Sequence, residues 1–102
     1  MSSETSDEQR EWRRRKLVFR SWHRGMREVD LILGSFADGH AATLTEDEFA
    51  QYEQLLDIPD TDLLPWLTGE LAVPPNLRST VLARMIAHAR DMAASPKQDA
   101  SH

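Results

Sequence analysis

Val29, Ile32, Leu33 and Phe36 fall at i, i+3, i+4 and i+7, an apolar stripe along one side of a helix. A stripe of this kind is stable only when other apolar faces cover it, and the rest of the chain offers only helical ones. There is no alternating run of β-branched residues and no Asn-Gly or Asp-Gly hairpin turn between such runs. The chain is therefore expected to be all-α, a compact five-helix bundle of short helices.

The first helix is expected over residues 8–23, with Trp12, Leu17, Phe19 and Trp22 forming a broad, imperfect apolar stripe. The second starts after Gly25 and runs to Ala37, where Asp38-Gly39 ends it and Gly39 supplies a left-handed C-terminal turn. The third opens on Thr45-Glu46-Asp47-Glu48, the pattern of a capping box, with Leu44 and Phe49 placed as a hydrophobic staple. Pro59 marks its stop. A fourth is expected from Asp62 to Thr68, with Pro65 tolerated in the first turn and Gly69 closing it. The last spans residues 76–92, with Leu77, Val81, Met85 and His88 along one stripe. Phe36, Leu55, Leu56, Trp66 and Leu67 are assigned to the core.

With 102 residues and 11.7 kDa there is room for one small domain and no deep substrate cavity. The division expected is a flexible polar N-terminus at 1–10, one helical-bundle domain at 11–92 and a flexible tail at 93–102. The absence of cysteine excludes disulfides, thiolate metal sites and thiol nucleophiles. No apolar run approaches the ~18–20 residues of a membrane span. MSSETSDEQR is acidic and polar, unlike a secretory or transit peptide, so a cytoplasmic location without membrane insertion is expected.

Charge is segregated along the chain. From Arg10 to Arg27 there are eight basic residues against the single acid Glu11, whereas Glu28 to Leu77 holds eleven acids and no Lys or Arg. Two explanations compete: the halves neutralise each other within the fold, or a two-signed surface steers docking onto a partner. The sign changes between Arg27 and Glu28, which favours docking at that seam. Nucleic-acid binding by Arg13-Arg14-Arg15-Lys16 beside Trp12 and Trp22 is opposed by the acidic body and a net charge of −5. His23, His40, His88 and His102 lack metal-ligand spacing, and no triad, P-loop or dinucleotide motif occurs. Nothing reads as an enzyme.

The segment that stands out is Arg24-Gly25-Met26-Arg27-Glu28, a glycine corner between two helical patterns. Glu28 falls in the first turn of the second helix, where it can accept from free amides. Arg24 can pair with Glu28 as a clip or present its guanidinium outward.

These five residues match the RGxxE motif, and the chain resembles the FAD assembly factor family. Those small proteins promote covalent flavin attachment to the flavoprotein subunit of succinate dehydrogenase. The resemblance continues through Val29–Phe36, through a Leu-(Ser/Thr)-x-x-Glu helix start at Leu44–Glu48, and through Leu55-Leu56-Asp57 followed by Asp60–Leu67. It extends in order from about Arg14 to Arg90. His23 stands where many members carry another basic residue, and Pro65 where an acidic or polar residue is usual.

The resemblance implies an assembly chaperone that binds the flavoprotein subunit of succinate dehydrogenase, and that of fumarate reductase as a further client. The client would own both the FAD and the histidine that bonds to it, so no cofactor is held stably by the chain itself. Arg24, Gly25 and Glu28 would make the client contacts, with Trp12, His23 and Arg27 as further candidates. No nucleic-acid partner is implied, and the free chain is expected to be monomeric. Because some relatives have been described as antitoxins against a small membrane-associated toxin, a protein-binding antitoxin is the alternative.

Overall fold

The computed structural model describes residues 2–94, with side chains from residue 7 onward. Among them are five α-helices: α1 (Ser2–Trp22), α2 (Arg27–His40), α3 (Glu46–Leu56), α4 (Asp60–Thr68) and α5 (Thr80–Ala94). Short 3-10 turns at Ala41–Thr43 and Pro75–Leu77 precede α3 and α5. The all-α bundle follows the apolar spacing, and α2 buries Val29, Ile32, Leu33 and Phe36 as its stripe requires. α1 packs along α2, while α5 packs against α2, α3 and α4. The core gathers Leu17 of α1, Tyr52, Leu55 and Leu56 of α3, Leu63, Trp66 and Leu67 of α4, and Val81, Leu82 and Met85 of α5.

Local signals placed several helix ends. The capping box forms in full: the Glu48 amide donates to Thr45 Oγ1 at 3.1 Å, and the Thr45 amide donates to Glu48 Oε1 at 3.0 Å. Gly69 closes α4 in the left-handed conformation with φ of 83°, its amide donating to the Trp66 carbonyl.

Four expectations require correction. Gly39 does not end α2; the helix continues through it to His40, and Gly25 and Gly69 are the described glycines with positive φ. α4 starts at Asp60, so Pro65 lies in the second turn and leaves the Thr61 carbonyl without its helical donor. Thr61 is exposed, so water can reach that carbonyl, and Leu63, Trp66 and Leu67 bury the other side. Leu77 belongs to a 3-10 turn and is exposed, because Ser79 starts α5 by accepting from the Leu82 amide at 3.1 Å. In α1 the four apolar residues share no single stripe. Leu17 is buried, Trp22 is half-buried and Trp12 and Phe19 are exposed.

α1 begins at Ser2 and so includes most of the N-terminal segment set apart at 1–10. Most of the expected tail, with His102, lies outside the described residues. No helix among those described is long and apolar enough to cross a membrane.

A buried hydroxyl pair ties three helices together. Ser21 Oγ lies 2.7 Å from Tyr52 Oη and 2.8 Å from the Leu17 carbonyl, and Tyr52 Oη lies 3.0 Å from the Leu33 carbonyl. Two hydroxyl protons are shared over three contacts, which leaves neither oxygen orphaned in the core. Burial pushes the Tyr52 phenol well above its ordinary range, so the hydroxyl keeps its proton.

Candidate functional site

The α1–α2 connection is His23–Met26, and its backbone is built around Gly25, whose φ of 112° is a conformation L side chains rarely adopt. Met26 then starts α2 in an extended conformation without a side-chain cap. A carboxylate from within the helix instead holds the connection that precedes it. Asp30 reaches back to accept from the amide of Arg24 at 2.6 Å and from that of Gly25 at 3.3 Å. Asp30 thus ties the connection to α2, whereas Glu28 makes no hydrogen bond to a backbone amide among the described residues.

Arg24 neither pairs with Glu28 nor faces outward. Its Nε donates to Asp60 Oδ1 at 2.8 Å, Nη1 to the Leu56 carbonyl and Nη2 to the Ile58 carbonyl at 2.5 Å. The Arg24 and Asp60 side chains are only 10% and 12% exposed. Leu56 is the last residue of α3, where carbonyls lack helical partners and carry the negative end of the helix dipole. Arg20 adds a second guanidinium there, pairing with Asp57 at 3.2 Å. The corner between α1 and α2 is therefore bolted onto the α3–α4 junction.

With Arg24 turned inward, the exposed members of the motif are Gly25, Arg27 and Glu28. Neither Arg27 nor Glu28 has an ion-pair partner among the described residues, although both sit in the first turn of α2. Glu28 stands at the rim of an apolar groove of about 360 Å³ between α2, α4 and α5, whose lining includes Leu31, Ile32, Leu67, Ile86 and Met92. His23 is exposed and stacks on Phe19, with ring centroids 4.0 Å apart and its Nδ1 2.7 Å from the Phe19 carbonyl. Trp12 is 62% exposed and lies more than two turns before the corner on α1, so it is not brought into contact with Arg24 or Glu28.

Asp30 and Asp60 escaped the sequence argument. A signal existed for Asp30, an acid in the first turn of a helix that follows a glycine corner. None existed for Asp60, which lies 36 residues from Arg24 and meets it only through the fold.

Much of the charge segregation is consumed in folding. Arg10 and Arg13 pair with Glu46, Arg13 also with Glu53, Arg20 with Asp57 and Arg24 with Asp60. Arg14 and Arg15 both bind Glu11, whose carboxyl is held below its ordinary range mainly by the Arg14 hydrogen bond. Among the described basic residues of this run, Lys16 and Arg27 have no ion-pair partner. No group of three His, Asp or Glu among the described residues is placed to hold a metal ion.

The described residues form a small all-α bundle whose helical corner shows a bare backbone, a cation and a carboxylate to solvent. The family described as the flavinator of succinate dehydrogenase matches residues 15–89, and the chain belongs to it. It is 40% identical over 78 residues to the FAD assembly factor SdhE of Acetobacter pasteurianus, covering 76% of this chain and 72% of that protein. It is 38% identical over 78 residues to the mitochondrial succinate dehydrogenase assembly factor 2 of Dictyostelium discoideum, covering 76% of this chain and 55% of the relative. The counterpart from Meyerozyma guilliermondii is 41% identical over 68 residues, covering 67% and 50%. The chain thus spans about half the length of these two mitochondrial relatives. No solved structure matches it.

Proposed function

We propose that the chain promotes covalent attachment of FAD to the flavoprotein subunit of succinate dehydrogenase. It acts as an assembly factor and not as the catalyst, by binding the subunit and preorganising its flavin site. The observation that supports this most is the solvent-facing part of the motif in a member of this family: Gly25, Arg27 and Glu28 on a corner held rigid by Arg24.

The physical role is entropic. A clamp that holds client segments in one arrangement keeps the client's flavin and its attaching histidine at near-attack geometry, which removes orientational freedom from the barrier. Glu28 accepts from client donors, Arg27 donates to client acceptors, and Gly25 lets client backbone approach without a Cβ in the way. Arg24 is a positioning residue: it acts through the α3–α4 junction and touches no client group. His23, in the connection, and Trp12, on α1, are outlying contacts. The flavoprotein of fumarate reductase is a further client, and the free chain is a monomer.

The test is co-expression of the client subunit with the wild type, Glu28→Ala or Gly25→Arg, followed by in-gel fluorescence of covalent flavin. Both variants are expected to lower flavinylation while remaining folded by circular dichroism. Equal flavinylation in all three would remove the corner from the mechanism. Recovery of a small hydrophobic protein on pull-down, in place of a large flavoprotein, would favour the antitoxin alternative.

A further inference from the structure

α1 carries a second stripe that folding does not use. Trp12, Lys16, Phe19 and His23 follow one another at i, i+4, i+7 and i+11, with Arg15 beside them, on the side of the helix away from the buried Leu17 and Ser21. Trp12 and Phe19 are 62% and 61% exposed, the two most exposed large apolar side chains among the described residues. Single exposed apolar residues are ordinary, but two aromatics two turns apart, interleaved with cations, form a continuous patch. Between Phe19 and Trp22 on α1, His23 just after it, and Ala37 and Asp38 on α2 lies a shallow groove of about 410 Å³, with Arg14 and Arg15 also lining it. The patch therefore offers both protruding aromatics and a recess.

We infer that the Trp12–Lys16–Phe19 stripe of α1, continued by His23 just after the helix, is a docking surface for an acidic face of the client protein that carries two apolar sockets. The socket spacing is set by the seven residues from Trp12 to Phe19, about 10.5 Å along a helix. Charge complementarity selects the occupant. Lys16 has no ion-pair partner among the described residues, and the Arg15 side chain is 70% exposed even while it touches Glu11. A second copy meeting stripe to stripe would bring like charges together. A nucleic acid would face the chain's net charge of −5 and the acidic surface beyond Arg27. An acidic protein surface gains from the cations and covers the aromatics, the residue types that dominate binding energy at interface centres. This surface rests on the client-binding function proposed above and extends it along α1, separate from the Glu28 corner.

The experiment measures Kd between the purified client flavoprotein subunit and the wild type, Trp12→Ala/Phe19→Ala, Lys16→Glu, Glu28→Ala and the exposed control Gln54→Ala. Circular dichroism confirms that each variant is folded. The double variant is expected to bind about ten- to a hundredfold more weakly, as loss of aromatic anchors commonly does. Lys16→Glu is expected to weaken binding and to reduce its dependence on salt, with Gln54→Ala unchanged. Wild-type affinity in the double variant, with Glu28→Ala impaired, overturns the stripe and leaves the proposed function standing. Failure of the wild type to bind the subunit overturns both. Binding to a poly-uridine oligonucleotide or to anionic phospholipid vesicles, or self-association in sedimentation, that the double variant abolishes also overturns the assignment to an acidic protein.

Discussion

Arg24 and Asp60 are joined at 2.8 Å across 36 residues of sequence, and neither side chain is more than 12% exposed. The contact makes the first residue of the motif the bolt that holds α1–α2 against α3–α4. Removing one member of such a pair leaves a buried charge uncompensated, at a cost of about 3–5 kcal/mol. Asp60→Ala is expected to lower the urea midpoint accordingly. Arg24→Lys is expected not to restore stability, because one ammonium cannot serve Asp60, Leu56 and Ile58 in the planar fork geometry.

Glu28→Ala is expected to separate function from folding. Its side chain is exposed and has no partner among the described residues, so its removal should change stability by no more than about 0.5 kcal/mol. Flavinylation of the client should nevertheless fall. Leu55→Ala gives the reverse pattern, a loss of about 2–5 kcal/mol through a core cavity. Equilibrium unfolding and in-gel flavin fluorescence on the same two variants check the contrast.

The two glycines of the α1–α2 pair should fail for different reasons. Nothing lies near a Cβ at Gly25, so Gly25→Ala is strained only through its φ of 112°, at about 1–3 kcal/mol. At Gly34 a Cβ would lie only 2.1 Å from a ring carbon of Trp22, whose indole lies against the α2 backbone and whose Nε1 donates to Asp38 at 3.3 Å. Gly34→Ala must push the indole out and is expected to lower Tm and shift tryptophan emission. Adding Trp22→Ala to Gly34→Ala should cost less than the sum of the single changes, since the clash is then gone.

His88 is expected to make the fold acid-sensitive. Its Nε2 lies 2.7 Å from Ser35 Oγ, and burial first, then the nearby His40, push its pKa below the ordinary value, with Asp91 opposing. A group with a depressed folded-state pKa contributes stability that is present above its unfolded value of about 6.5 and is lost as pH falls below it. Denaturation midpoints are expected to fall between pH 7 and pH 5, and His88→Gln should flatten that slope. A slope unchanged by His88→Gln would assign the effect to other groups.

Tyr52→Phe removes the hydroxyl that links Ser21 to the Leu33 carbonyl and leaves buried polar atoms short of a partner. A loss of about 1–3 kcal/mol is expected, read by chemical denaturation. Ser21→Ala in the same background should then cost less than it does alone.

What the sequence by itself determined is local. The capping box of Thr45 and Glu48 and the left-handed Gly69 depend on contacts within one turn, and the α2 stripe shows in its spacing alone, so residue type and spacing were sufficient to place them. The RGxxE corner was legible as a corner for the same reason, because only a glycine readily supplies its positive φ.

Only the tertiary structure decided what each charge and each aromatic on α1 is for. Leu17, Phe19 and Trp12 are equally apolar in the sequence, yet one is buried and two face solvent, because α2 and α3 cover only one side of α1. Arg24 turned inward because its partners Leu56, Ile58 and Asp60 lie more than thirty residues further along the chain. Of the eight cations that the sequence groups together, Arg10, Arg13, Arg20 and Arg24 pair with the acidic body and Arg14 and Arg15 with Glu11 on α1 itself, pairings that depend on which side of α1 the fold covers.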